Sequence, residues 1–199
     1  MEIPASLVKT LRDRTGAGMM ECKAALQEAD GNIEEATLIL RKRGLAQAAK
    51  KTGRATSEGL IGSYIHMGGK IGVLVELNCE SDFVARTDDF QNLLRELSLQ
   101  IAAANPQYVS RDQVPADIIE RERGVYRAQM ENSGKPPQVI EKIIDGKLGS
   151  FYEQVCLVDQ PSIRDPKQTV GAMLQAAIAK LGENISVARF VRFKVGEKI

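Results

Sequence analysis

Two alternating runs, Glu58–Met67 and Lys70–Asn78, meet at Gly68-Gly69 and constrain the chain more than any other stretch. Period-two spacing puts Ile71, Val73, Val75 and Leu77 on one face of a strand, and the paired glycines suit a tight turn, so the pattern predicts a β-hairpin. Most of the surrounding sequence has helical spacing instead. Phe90, Leu93, Leu94, Leu97, Ile101 and Ala104 recur at helical intervals after Thr87, a good cap, and before Asn105-Pro106, which stops the helix. This helix should cover one face of the sheet. A last helix over 167–181 turns Val170, Leu174, Ala177, Ile178 and Leu181 inward and ends at Gly182. Alternation resumes over Ile185–Val195 and adds a third strand. The expected class is α+β, with one small antiparallel sheet packed against helices.

Ahead of the hairpin stand three short helical patterns, Pro4 to about Arg14, Met19 to about Ala29 and Ile33 to about Arg43. Asn32 is a cap for the third, Glu35 sits at the capping-box position, and Gly44 is expected to end the helix. Each helix carries one apolar stripe (Leu7, Val8 and Leu11; Cys22, Ala25, Leu26 and Ala29; Ile33, Ala36, Thr37 and Leu40), and each stripe needs the other two. Residues 1–54 therefore read as a three-helix unit plus linker, and 55–199 as the α+β core. The loop Thr15-Gly-Ala-Gly-Met-Met20 lacks the preceding strand of a phosphate-binding motif and fits a helix–helix turn with adaptable methionine contacts. Lys50, Lys51 and Arg54 in the small, basic stretch that follows read as a solvated charge run.

Within the core, Pro115 at N1 opens a charged, exposed helix from Ala116 to about Asn132. Gly134-Lys-Pro-Pro137 breaks the chain before a helical stretch from Gln138 toward Val158. Its apolar stripe runs through Ile140, Ile143, Ile144, Leu148, Phe151, Tyr152, Val155 and Cys156, with Gly146 and Gly149 as soft points. A helical hairpin over about 115–160 follows.

Several function classes are disfavoured. Lys plus Arg number 27 against 26 Asp plus Glu, so no global field gathers nucleic acid or anionic membrane. The start Met-Glu-Ile-Pro has no basic and apolar leader pattern, no apolar run approaches the ~20 residues of a bilayer span, and a cytoplasmic protein is expected. Cys22, Cys79 and Cys156 are scattered and form no C-x-x-C, so they read as reduced, buried thiols with no metal set. Gly68-Gly69-Lys70 lacks both the earlier glycine and the following Ser or Thr of a phosphate loop. His66, the single histidine, has no motif-grade nucleophile or metal-ligand partner. The sequence offers no catalytic residues, cofactor-binding motif or metal ligands. A hydrolase would need a nucleophile, base and orienter, and an RNA binder a clustered basic face with stacking aromatics. The chain has no Trp and only 5% aromatics.

Between strand and helix lies Glu76-Leu-Asn-Cys-Glu-Ser-Asp-Phe-Val-Ala-Arg86, a polar turn presenting an acid beside a large aromatic. One reading is structural: Ser81 caps a helix, Asp82 favours its positive end and Phe83 tucks into the core. The other makes this a rigid pedestal for a group that reaches into another molecule. The residues alone leave both open.

Leu11-Arg-Asp-Arg-Thr-Gly-Ala-Gly-Met-Met-Glu-Cys-Lys23, continuing to Ala25-Leu26, resembles the N-terminal signature of translation elongation factor Ts, and Glu76–Arg86 resembles its second signature. Glu141–Leu148 and Glu153–Pro161 are similar to that family's downstream segment, so the likeness spans nearly the whole chain. Ser81 stands where the family usually has Thr, keeping the capping hydroxyl, and Ala24 where a basic or polar residue is common. The chain resembles compact members, which carry one half of the duplicated core of longer ones.

The resemblance implies a guanine-nucleotide exchange factor for the GTPase elongation factor Tu, and no enzyme in the bond-making sense. The first three helices look like the family's ubiquitin-associated-type (UBA-like) domain, which docks on the partner's nucleotide-binding domain. The docking residues it implies are Arg12, Thr15, Gly16, Ala17, Gly18, Met19, Met20 and Lys23. Ser81, Asp82, Phe83 and Val84 are implied as the partner-binding, Mg²⁺-displacing group, with Phe83 as an apolar wedge and Asp82 engaging the displaced segment. Direct nucleic-acid and membrane partners are not expected. A lone sheet and helical hairpin leave apolar edges for a two-fold mate, so a homodimer is expected.

Overall fold

A computed structural model describes residues 3–131 and 133–197. In chain order it has α1 (Ala5–Thr15), α2 (Met19–Glu28), α3 (Ile33–Lys51), β1 (Glu58–Ile65), β2 (Ile71–Cys79), α4 (Asp82–Ala85), α5 (Asp88–Ala104), α6 (Ala116–Met130), α7 (Pro137–Val155), α8 (Val170–Leu181) and β3 (Ile185–Lys194). The class is α+β. The sheet is antiparallel with β2 central, pairing Leu60 with Leu77 on one side and Val191 with Leu74 on the other.

Alternation decides which face of the sheet is covered. Val73, Val75, Leu77 and Cys79 of β2, with Ile185 and Val187 of β3, lie buried against Phe90, Leu93, Leu94, Leu97 and Ile101 of α5 and Val170, Leu174 and Ile178 of α8. Thr87 caps α5 as expected, accepting the Phe90 amide at 3.3 Å. Residues of opposite phase form the outer face. Ile61, Ile65, Leu74, Val191 and Phe193 are exposed there, with Ser63, Leu74 and Val191 in one cross-strand row. β1 approaches α5 closely because Gly62 has no side chain: a Cβ there would lie 2.7 Å from Leu94 Cγ and 2.9 Å from its Cδ1. Gly62→Val is expected to destabilise the fold by about 1–3 kcal/mol through overpacking, read as a lower denaturant midpoint.

The first three helices bury Val8, Leu11, Cys22, Ala25, Leu26, Ala36 and Leu40 among themselves. Asn32 caps α3 by accepting the amides of Glu34 and Glu35 at 3.0 and 3.2 Å. Its own amide donates to the Ala29 carbonyl, in place of the capping-box bond anticipated from Glu35.

Gly44 does not end α3, contrary to the expectation from the sequence. The helix continues to Lys51, and Ala48 joins the main core. The reason is contact: a Cβ on Gly44 would lie 3.1 Å from Ala179 Cβ, so glycine here lets α3 cross close to α8. The cost of an interior helical glycine, about 1 kcal/mol against alanine, is offset by that approach. The anticipated basic linker is thus largely helix, and Arg54 follows in the turn after it.

The α6–α7 hairpin forms with ion pairs from Arg123 to Glu141 and Asp145 and from Arg127 to Glu141. No α6 residue is fully buried, matching its charged pattern. Pro115 occupies the N-cap rather than N1, and Asn132, the anticipated end of α6, lies outside the described residues. Gly146 and Gly149 do not interrupt α7, which ends at Val155, and a single 3₁₀ turn over Leu157–Asp159 follows it.

Candidate functional site

The turn after β2 is fixed from both ends. Cys79 is buried, and its thiol donates to the Ser81 carbonyl at 3.1 Å. Ser81 caps α4, accepting the Val84 amide at 3.4 Å, while Thr87 donates to the Val84 carbonyl at 2.7 Å. Val84 and Ala85 point into the core at 6% and 3% exposure. These anchors leave the intervening side chains outside: Phe83 is 77% exposed. The structural reading that tucked Phe83 into the core is overturned, because Val84 and Ala85 take the inward positions of this single helical turn. Asp82 pairs with Arg86 at 2.7 Å, and both side chains are well exposed. An exposed pair of this kind is worth about 0–1 kcal/mol, so Asp82 can exchange it for another partner.

Ser81 is further held from a distant segment. Its amide donates to Glu183 Oε2 at 2.9 Å and its hydroxyl to Glu183 Oε1 at 2.6 Å. The reverse link runs from the Asn184 amide to Glu80 Oε1 at 2.6 Å. Asn184 Nδ2 donates to the Arg54 carbonyl at 2.8 Å, and Lys51 Nζ donates to the Gly182 carbonyl at 2.6 Å. Lys51 is therefore an internal fastener, unlike the solvated charge expected from the sequence. Neither Glu183 nor Asn184 belongs to any sequence pattern; their one signal is position just after a helix-ending glycine.

The glycine loop between α1 and α2 is equally ordered. The Thr15 hydroxyl donates to the Leu11 carbonyl at 2.7 Å and accepts the Ala17 amide at 3.3 Å, and the Gly18 amide donates to Glu21 Oε2 at 3.2 Å. Gly16 takes the left-handed conformation, φ 70°, and closes α1 through its amide to the Arg12 carbonyl. Arg12, Lys23, Met19 and Met20 are exposed, Met20 at 75%, so this corner presents two flexible thioethers between cations. It is a helix–helix turn with an outward methionine pair.

α8 links the two candidate surfaces. Lys180 passes beside Gly16, where an added Cβ would sit 3.2 Å from Lys180 Cε, and its ammonium pairs with Asp89 at the start of α5 at 2.7 Å. Glu183, just beyond the same helix, holds Ser81. A groove of about 840 Å³ separates the glycine loop and α3 from α8, lined by cations such as Arg41 and Lys167 and acids such as Glu21 and Asp165.

The remaining chemistry-bearing side chains stand apart. Cys22, Cys79 and Cys156 are buried and unpaired, as expected. Burial pushes the Cys156 thiol up to about 11, with the Asp159 charge adding to the effect. Burial and then the Glu183 charge raise Cys79. Both thiols are thus held away from the nucleophilic thiolate. His66 is exposed on the hairpin with the Tyr64 hydroxyl 3.0 Å from Nδ1. Among the described residues no group of three His, Cys, Asp or Glu side chains is placed to hold a metal ion, and no helix is long and apolar enough to cross a membrane.

Comparison with known proteins matches residues 8–197 to the family described as Elongation factor TS. An elongation factor Ts of Fervidobacterium nodosum is 61% identical over 197 residues, covering 99% of this chain and 100% of the relative. That of Thermosipho melanesiensis is 58% identical, covering 98% of this chain and 100% of the relative. The Solibacter usitatus protein of the same name is 57% identical, covering 98% and 92% respectively. With its two signature segments on ordered, outward-facing turns and near-complete coverage at this identity, the chain belongs to the elongation factor Ts family.

Proposed function

We propose that this chain releases GDP from elongation factor Tu by inserting the Asp82–Phe83 turn beside the partner's Mg²⁺ and nucleotide site, and that it stabilises the nucleotide-free state. The general role, nucleotide exchange on elongation factor Tu rather than bond-making catalysis, follows from family membership. The observation that carries the finer reading is the 77% exposure of Phe83 on a turn anchored by buried Val84 and Ala85 and by the hydrogen bonds of Ser81 and Thr87. A large apolar side chain held rigidly in water is a stored driving force for burial elsewhere.

The physics needs no covalent chemistry. Mg²⁺ bridges protein and phosphate oxygens in GTPases, so a wedge that displaces its supports raises the free energy of bound GDP. Release a thousandfold faster corresponds to a barrier lower by about 4 kcal/mol. Phe83 supplies apolar contact, and Asp82 leaves Arg86 to engage the displaced segment. Ser81 and Val84 act from behind, the first as cap and the second as anchor. Residues 1–54 dock on the nucleotide-binding domain through Arg12, Lys23 and the turn from Thr15 to Met20, and residues 55–199 form the core. Coupling is reciprocal, so GDP or GTP weakens the grip of this chain on its partner and permits recycling.

The same reading makes the chain a cytoplasmic homodimer. Ile61, Ile65, Leu74, Val191 and Phe193 make the outer sheet face apolar and uncovered within the protomer, a surface that suits a second copy across a two-fold axis. The direct test is release of a fluorescent GDP from elongation factor Tu with Mg²⁺ present. The expected result is acceleration that saturates with the concentration of this chain and is reduced in Asp82→Ala. A folded parent that leaves the release rate unchanged rejects the exchange reading.

A further inference from the structure

We infer that Glu183, at the α8–β3 turn, is the positioning residue of the exchange turn, holding Phe83 at the angle from which it enters the partner. The inference rests on the wedge reading above and adds to it a residue outside both signature segments. Three observations converge on it. Both carboxylate oxygens of Glu183 are committed to one residue, taking the Ser81 amide at 2.9 Å and its hydroxyl at 2.6 Å. The contact is reciprocated, since the Asn184 amide donates to Glu80 at 2.6 Å, so the segments Glu80-Ser81 and Glu183-Asn184 lock each other. The carboxylate itself is rigidly based: Gly182 closes α8 in the left-handed conformation at φ 81°, and Asn184 and Ile185 are buried at the start of β3.

The geometry specifies what this lock controls. Ser81 N and Oγ are held immediately before α4 begins, and the same Oγ caps α4 by accepting the Val84 amide. A two-point hold on Ser81 therefore sets the direction in which this one-turn helix leaves the sheet, and Phe83 lies on its exposed side. Hydrogen bonds to a carboxylate are shorter and about twice as strong as neutral ones, which suits a turn that must push against another protein without yielding. Glu183 touches neither the nucleotide nor the metal in this scheme; it acts through Ser81.

The lock also receives the end of α3. Asn184 Nδ2 donates to the Arg54 carbonyl, Lys51 Nζ donates to the Gly182 carbonyl, and Arg54 lies 3.6 Å from Glu80. The helix that begins among the docking helices thus ends on the turn that aims the wedge, so force applied at the docking surface reaches Phe83 through bonded elements rather than through solvent.

The test measures GDP release as a function of factor concentration for the parent, Glu183→Ala, Glu183→Gln, Phe83→Ala and the Glu183→Ala/Phe83→Ala double variant. Glu183→Ala is expected to lower the maximal release rate about tenfold, the loss typical of a hydrogen-bonded charge. The concentration for half-maximal release should move by less than about twofold, because docking is untouched. Glu183→Gln, which keeps one acceptor for the Ser81 amide, should recover part of the rate. In the Phe83→Ala background the same substitution should do nothing further, since both act along one route. An unchanged maximal rate in folded Glu183→Ala, a change confined to the half-saturating concentration, or an undiminished loss in the Phe83→Ala background overturns the inference. Should Glu183→Ala not fold, an unchanged maximal rate in Glu183→Gln overturns it equally. A parent that fails to accelerate release rejects the exchange reading instead. The positioning contact then stands or falls on amide hydrogen exchange: faster exchange at 81–85 in Glu183→Gln with β2 and α8 unchanged supports it, and unaltered exchange there removes it.

Discussion

Phe83→Ala should lower the maximal rate of GDP release from elongation factor Tu by about tenfold to a hundredfold while leaving the stability of the chain within about 0.5 kcal/mol of the parent. The two halves of this expectation come from one fact, the 77% exposure of the ring. Fully burying a phenylalanine is worth about 1.5–3 kcal/mol, and an exposed ring withholds that gain until the partner accepts it. Each 1.36 kcal/mol lost from the transition state is about a factor of ten in rate. Stability is spared because the turn is held by Ser81, Val84 and Thr87 rather than by Phe83. Phe90, seven residues on, is fully buried under the sheet and has the opposite balance. Stopped-flow release and thermal unfolding on one preparation check both halves. Full exchange activity in the variant would move the site elsewhere on the molecule.

For the proposed two-fold dimer, Leu74→Glu is the second large expected effect, acting on assembly. Leu74 lies on the central strand in register with Ser63 and Val191, 47% exposed and ringed by Ile61, Ile65 and Phe193. In a two-fold interface every substitution occurs twice, so two carboxylates would be driven into an apolar seam beside the Glu76–Arg189 ion pair. The cost of burying charges without partners is several kcal/mol, and the dimer dissociation constant should rise by at least about a hundredfold. The protomer fold should persist, because the substituted face carries none of its core. Sedimentation at micromolar concentration reads the result. A parent that is already monomeric there rejects the dimer.

The elements were legible where a period ran long enough to be unambiguous. The hairpin followed from alternation around Gly68-Gly69, and α5 from its six apolar positions behind the Thr87 cap. The end of α3 was misread because a glycine can close a helix or admit a neighbour, and the neighbour, Ala179, lies far along the chain. The exposure of Phe83 was undecidable for a similar reason: a one-turn helix has too few residues to show which face is buried. Only the depth of Val84 and Ala85 resolves it. Glu183 left no trace in sequence pattern, since its partner is 102 residues away and a lone glutamate after a helix has no period. Local signals stop where a contact joins segments distant along the chain.

The unbroken course of α3 through Gly44 gives the chain a phase relation. A helix turns once every 3.6 residues, so adding or removing one residue between Gly44 and Ala48 would swing everything on its N-terminal side by about 100° about the helix axis. A flexible tether would absorb such a change as slack. Here it would appear as angular misregistration between the methionine corner and the phenylalanine turn, so the relation between them is set by rotation as much as by length.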